Sequence, residues 1–321
     1  MPSLKHDEDP AWGHEADAAC TDTEPMGARR VTTPDAATEA ALTGPLADPQ
    51  PQARFFERDY KLRTDTVDQS MRLRLDGTAR FLQDIANENI EVAEFTDTDP
   101  FWIVRRTVID VVEPISWPGE LHLSRWCSSM STRWTNMRVT VTAQHQTNPF
   151  NPEPRPTGRI ESEAFWINVN EQGMPSRLSD IAIEFLSRTT EEHRLRWKSM
   201  NPAPLPEASD GVDGSPADRL HPLRITDFDP FKHLNNAAYW EPVEEELLDH
   251  PDITKGRFRA VIEYLRAIDY AGGHEAITIR RRREGDQLRM WLLIPGADGE
   301  LVVASTVTVT KLPDDYYRAA D

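Results

Sequence analysis

Between residues 55 and 311 the sequence sets out one pattern twice: a capped amphipathic helix followed by four strand-like runs. In the first copy, Asp76-Gly77-Thr78-Ala79-Arg80-Phe81-Leu82-Gln83-Asp84-Ile85-Ala86 opens at a capping residue and spaces its apolar side chains at helical intervals. Strands are predicted over 102–112, 120–128, 134–143 and 159–169, several ending in Pro, Gly or Asn turns. The second copy opens with a turn and a helix over 236–248, and its strands are predicted over 258–264, 276–283, 287–294 and 300–311. The runs that close the two meanders, 160–169 and 301–310, alternate alike. A chain that repeats a helix and then an antiparallel meander belongs to the α+β class. Periodicity alone admits several α+β folds.

Outside the repeat the chain changes character. Residues 1–52 carry ten acidic side chains against Lys5, Arg29 and Arg30, with many Pro and Ala and almost no aromatics. Such a segment buries too little apolar surface to offset its ordering entropy, so it reads as a disordered acidic tail. Folding is expected to begin near Phe55 and Phe56. The resulting division is 1–52 tail, 53–186 first folded unit, 187–220 polar, Pro-rich linker and 221–321 second folded unit. The formal charge of −18 argues against nucleic-acid and anionic-membrane binding, both of which need a basic surface. No apolar run approaches a bilayer span, and the N-terminus is too acidic and polar for a signal peptide. Two cysteines, Cys20 and Cys127, make neither a disulfide framework nor a metal site and fit a reducing cytoplasm; Cys127, in an apolar strand-like stretch, reads as core. The nine histidines are scattered without metal-ligand spacing, and no GxSxG elbow or phosphate-binding Gly-rich loop is present. Neither a metal nor a cofactor is expected.

The chemistry-bearing segment is Asp227-Phe228-Asp229-Pro230-Phe231-Lys232-His233-Leu234-Asn235-Asn236, followed by Ala237-Ala238-Tyr239-Trp240 and an acidic helix. A turn-prone Asp-Pro there delivers a carboxylate, an imidazole and two amides to a helix start. Helix starts expose unpaired N–H groups and the positive end of the dipole. Such a place can polarise a thioester carbonyl while the carboxylate attacks it or activates water. The plainer reading is an N-cap turn, because Asp and Asn cap helices generally.

Taken in order, these segments resemble the acyl-acyl carrier protein thioesterases of plants and bacteria, from about Phe55 to Lys311. The resemblance rests on Phe101-Trp102-Ile103-Val104-Arg105-Arg106, Ile115-Ser116-Trp117-Pro118-Gly119-Glu120 and Ala164-Phe165-Trp166-Ile167-Asn168-Val169-Asn170 with Arg177-Leu178. In the second half it rests on Arg224, Asp227, Asp229, His233, Asn235, Asn236, Tyr239 and Glu244. It implies two tandem hotdog domains, each a long helix wrapped by an antiparallel sheet, paired as a covalent pseudo-dimer. It also implies hydrolysis of a fatty acyl thioester, on acyl carrier protein or coenzyme A, to free acid and thiol in fatty acid biosynthesis. The chain would act as a monomer or a homodimer.

Two departures stand out. Phe231 replaces the middle Asn of the plant Asp-x-Asn-x-His pattern, and Tyr264-Leu265-Arg266-Ala267-Ile268 lacks the Glu and Cys of the plant Tyr-Arg-Arg-Glu-Cys strand. What remains is similar to the Asp-Cys-Asp-Pro turn of 4-hydroxybenzoyl-CoA thioesterase, whose catalytic carboxylate falls on Asp229. That resemblance implies Asp229 as nucleophile or general base, with N–H groups near Asn235 and Asn236 polarising the carbonyl. His233 is either an acid–base group or a structural histidine of the turn. Asn235 and Asn236 read chiefly as caps. Lys232 stands at the usual Gly position of such turns. Pro242 should kink the following helix or shift its start. On that helix Glu241, Glu245 and Glu246 read as a solvated face, with Glu244 as the acid that could reach the site. Phe81, Ile85 and Trp102 are expected to line the acyl tunnel, with Phe231 and Tyr239 also at the substrate.

An acidic carrier protein would need a local basic patch. Arg280-Arg281-Arg282-Arg283, Arg105-Arg106 and the set Arg194, Arg196 and Lys198 are the candidates. Alternating residues of a strand point to opposite faces, so only half of the Arg280–Arg283 run could join one surface. Two other classes stay open: a non-catalytic acyl-binding hotdog protein and a hotdog acyl-thioester dehydratase.

Overall fold

A computed structural model describes residues 42, 44–50, 53–208 and 218–317. Most of the expected acidic tail, Cys20 included, therefore lies outside the described residues. The eight predicted strands form, as β2 (Trp102–Glu113), β3 (Gly119–Met130), β4 (Trp134–His145), β5 (Gly158–Asn168), β7 (Phe258–Tyr264), β8 (Ala276–Glu284), β9 (Gln287–Pro295) and β10 (Leu301–Lys311). Two short strands join them, β1 (Phe56–Lys61) and β6 (Asp218–Pro222).

All ten strands make one antiparallel sheet in the order β1-β3-β4-β5-β2-β7-β10-β9-β8-β6. The order is mirrored about the central β2–β7 pair, where Val108 faces Val261 and Ile109 faces Ala260. The repeat seen in the sequence is thus laid out edge to edge, and the two copies share one continuous ladder. Every residue of β7 is buried, as a central strand covered on both faces requires.

On one face lie helix α1 (Leu75–Glu91) and the shorter α3 (Glu241–Leu247), which pack on each other. The predicted second helix starts later than expected. Residues 238–240 form a single 3₁₀ turn, and the α-helix begins at Glu241 with Pro242 in its first turn, where its missing N–H costs nothing. Two further short helices, α2 (Asp180–Ser187) and α4 (Pro251–Thr254), cap the two ends. One apolar core runs through both copies, from Leu121 and Ile160 to Ile279 and Leu292.

The other face of the sheet is covered in part by segments whose composition predicts no folding. Leu42, within the expected tail, is 2% exposed and packs with Leu46, Val108, Met200 and Val261. The Arg259 guanidinium donates to the carbonyls of Leu42 (3.1 Å) and Gly44 (2.8 Å), and pairs with both oxygens of buried Asp110 at 2.6 Å. Residues 195–203 of the expected linker also lie on this face rather than apart from it. Trp134 and Trp291 donate to the carbonyls of Leu195 and Ala203, and buried Glu263 accepts from Ser199 Oγ and Met200 N, both at 2.6 Å. Polar and Pro-rich composition reads as linker because these contacts run through backbone carbonyls, which hydropathy does not register.

Candidate active site

The turn carrying Asp229 is built twice. Asp229 Oδ1 accepts from the N–H groups of Phe231 (2.9 Å) and His233 (3.0 Å), and Asp229 N donates to His233 O. In the first copy, Asp68 Oδ1 accepts from Ser70 (2.7 Å) and Arg72 (2.9 Å), and Asp68 N donates to Arg72 O. Lys232 and Met71, at matching positions, both sit in the left-handed region at φ 64° and 63°. The turn therefore keeps the strained backbone that a Gly would ease. Leu234 N bonds Ile268 O as Leu73 N bonds Ile115 O. One oxygen of each aspartate thus serves the fold, as the plainer reading of the turn anticipated.

The copies differ in what happens to the remaining groups. In the first, Asp68 Oδ2 is taken by Arg72, at 3.1 Å from Nε. Position 233 carries the shorter histidine instead, and its Nε2 faces Asp269 Oδ1 at 3.0 Å. Asp229 Oδ2 is left without a partner among the described residues.

A second difference lies at the helix starts. The N–H of Leu75, which opens α1, donates to Glu244 Oε1 at 2.5 Å across the two copies. The matching N–H belongs to Asn236, and no described residue accepts it. The residue that corresponds to Glu244 is Gln83 on α1. Gln83 and Asn236 both line a small cavity of about 30 Å³, together with Thr107, Ser162, Ala164 and Tyr264. This N–H thus belongs to a residue lining a space with polar groups and apolar walls, surroundings in which a backbone donor stabilises a carbonyl oxygen gaining charge.

This cavity meets a larger one of about 320 Å³ within the first copy, and Arg125, Met137 and Trp166 border both. The larger space is mainly apolar and is walled by Phe95, Trp102, Trp126 and Phe185 among others. Together they could hold an extended hydrocarbon chain whose head lies at Asn236.

The remaining expected site residues divide. Asn235 makes a side-chain turn ahead of the helix, its Oδ1 accepting from Ala237 N at 2.8 Å. Tyr239 is buried edge-on to Tyr264 at 5.2 Å, and Tyr264 in turn donates to the Asn236 carbonyl, so Tyr239 supports the site from behind. Burial pushes both phenols well above their usual range, so they stay neutral. Trp102 lines the larger cavity as expected. Phe81 and Ile85 do not line either cavity: they point to the opposite side of α1, into the core, with Phe81 packed on Tyr60. The lining comes from Leu82, Gln83, Asn89 and Ile90, one face round. Phe231 is 78% exposed and borders neither cavity. Glu244 lies at the other helix start, where burial raises its carboxyl to about 7. Glu246 is not on a solvated face: it is fully buried between Arg219 (3.1 Å) and Arg281 (3.0 Å). Gln83 and Tyr264 were missed. Laying the two copies over each other in register would have found Gln83 opposite Glu244.

Of the basic candidates, the Arg280–Arg283 run is spent on Asp218, Glu246, Glu284 and Asp252. Arg105 donates to the carbonyls of Tyr264 and Leu265, while Arg106 is buried. Arg194, Arg196 and Lys198 are exposed at alternate positions of the segment crossing the outer face.

Comparisons with known proteins place the chain by family and by fold. The acyl-ACP thioesterase N-terminal domain model matches residues 53–187, and the C-terminal domain model matches residues 213–307. Two uncharacterized proteins of Mycobacterium tuberculosis, from strains CDC 1551 and H37Rv, are each 39% identical over 240 residues, 74% of this chain and 87% of theirs. Among solved structures, an acyl-ACP thioesterase from Bacteroides thetaiotaomicron superposes with a TM-score of 0.56 at 14% identity, over 80% of this chain and 97% of that one. The 12:0-ACP thioesterase from Umbellularia californica gives 0.51 at 15%, over 80% and 96%. These likenesses establish the shared fold.

Proposed function

The chain belongs to the acyl-ACP thioesterase family, and from that premise we propose that it hydrolyses fatty acyl thioesters at the start of the second helix, with the acyl chain in the first copy. The mirrored strand order supports two tandem hotdog units, 53–186 and 221–321, joined through 187–220, whose residues 195–203 cross the outer face. One observation carries the reading. Asp229 Oδ2 and the Asn236 N–H both lack a partner among the described residues, while their counterparts in the first copy are taken by Arg72 and Glu244.

In the proposed reaction the thioester oxygen takes the Asn236 N–H bond. Asp229 accepts a proton as a water oxygen adds to the carbonyl carbon. Collapse of the tetrahedral adduct breaks the C–S bond and returns a proton to the thiolate, leaving free acid and carrier thiol. His233, oriented by Asp269, is assigned to that proton delivery. The exposed Arg194 and Arg196 are the basic side chains assigned to an acidic carrier protein, and a coenzyme A thioester would need less. The cytoplasm and fatty acid biosynthesis are the setting this chemistry fits.

A binding role without hydrolysis is favoured by one detail: no carboxylate is among the residues lining the smaller cavity. Thiol release from acyl carrier protein and coenzyme A thioesters of graded length separates the two. Wild type should turn over, Asp229→Asn should lose more than about a hundredfold in kcat, and Asp68→Asn should keep its kcat. Full activity in Asp229→Asn would place the base elsewhere, and no release from any substrate would leave the binding role.

A further inference from the structure

Arg125 is the charged side chain shared by the two cavities, whose walls are mainly apolar. It extends from β3 on the helix side of the sheet, is only 6% exposed, and borders both cavities where they meet. Its Nη1 bonds the amide oxygen of Asn89, and its guanidinium lies 5.9 Å from the Trp166 ring centre. No carboxylate among the described residues pairs with it. The nearby Cys127 supplies no charge, because burial pushes its thiol up to about 12. Burial without a counterion also draws Arg125 down to about 10, still protonated at neutral pH.

The second copy shows how the fold otherwise treats this position. The strand pairings place Arg281 of β8 where Arg125 stands in β3. Arg281 is equally buried, and Glu246 of α3 neutralises it at 3.0 Å. On α1 the place of Glu246 is held by Ile85, fully buried in the core. The first copy has therefore kept the arginine and not its acid, and it has done so where the channel passes. A buried cation left without its partner is costly, and an oxygen on a bound ligand relieves that cost.

Arg125 shares the small cavity with Asn236, so an oxygen that meets it sits in the part of the chain near the thioester. The apolar walls beyond it call for a hydrocarbon tail. Resting on the thioesterase reading for the head group, we propose that this channel selects acyl chains carrying a hydroxyl or oxo group close to the thioester, held by Arg125, ahead of an unsubstituted tail.

The test uses non-hydrolysable acyl-pantetheine amides of one chain length, unsubstituted or bearing a 3-hydroxy, 3-oxo or terminal carboxylate group, with binding followed by calorimetry. Because binding alone is read, the result stands whether or not the protein hydrolyses thioesters. Wild type should bind the 3-hydroxy or 3-oxo chain at least about tenfold more tightly than the unsubstituted one, as suits a hydrogen bond to a charged donor. Arg125→Met, with its fold checked by circular dichroism, should lose that difference and gain affinity for the plain chain. Equal or tighter binding of the plain chain to wild type would overturn the proposal. So would a preference that survives in Arg125→Met, or one for the terminal carboxylate over both oxygenated chains. If the variant fails to fold, the wild-type ranking decides by itself.

Discussion

At the residue scale, the two copies act as controls for each other. Glu244 and Gln83 stand at equivalent places, each facing the helix start of the other copy, but only Glu244 can ionise. Burial is the main cause of its raised carboxyl pKa, with the Leu75 N–H bond opposing it. With a folded value of about 7 against an ordinary 4.5, the native state holds a proton that the unfolded chain has lost. Stability from this group is full below the unfolded value and falls as pH rises towards 7, by on the order of 2–3 kcal/mol at most. Glu244→Gln should remove that component. Melting of wild type and variant at pH 5 and pH 8 checks it: the variant should gain on wild type by a few degrees at pH 8. A pH-independent difference between them would mean that Glu244 is ionised throughout.

At the element scale, the outer face of the sheet is held by short segments anchored on buried charges. Asp110 binds Arg259 through both oxygens and also accepts from Tyr317, while Arg259 reaches the carbonyls of residues 42 and 44. Removing the acid leaves a buried guanidinium uncompensated, which costs about 3–5 kcal/mol. Asp110→Ala should therefore lower the urea midpoint markedly with the m-value unchanged, whereas a change under about 1 kcal/mol would show that these segments carry little of the fold. The same face marks the limit of what was legible. The eight long strands and the first helix could be read because alternation and helical spacing report burial on one face. The segment around Leu42 and the crossing at 195–203 could not, since both are fixed by backbone carbonyls and a few apolar anchors amid Pro and charge. At the site, the turn with Asp229, Asn235 and Asn236 was legible from local chemistry. The lining of the two cavities was not, because Phe81 and Gln83 lie on different faces of one helix and hydrophobicity alone favours Phe81, the side that fills the core.

At the scale of the whole molecule, the sheet and the core make the two copies mechanically one. β2 and β7 exchange backbone bonds along Arg106 to Val111, and the apolar core passes without a break from the first copy to the second. Separating the copies would expose two long strand edges that are buried on both faces, together with the Glu244–Leu75 contact across the helix starts. Neither copy should therefore outlive the other on heating or in denaturant, although the family models treat the two parts as separate domains. Unfolding followed by far-ultraviolet circular dichroism and by tryptophan fluorescence should give one coincident transition. Two separated transitions would show that the joint is weaker than either half. The proposed active site spans this joint: Asn236 belongs to the second copy, and Gln83, Arg125 and the larger cavity to the first.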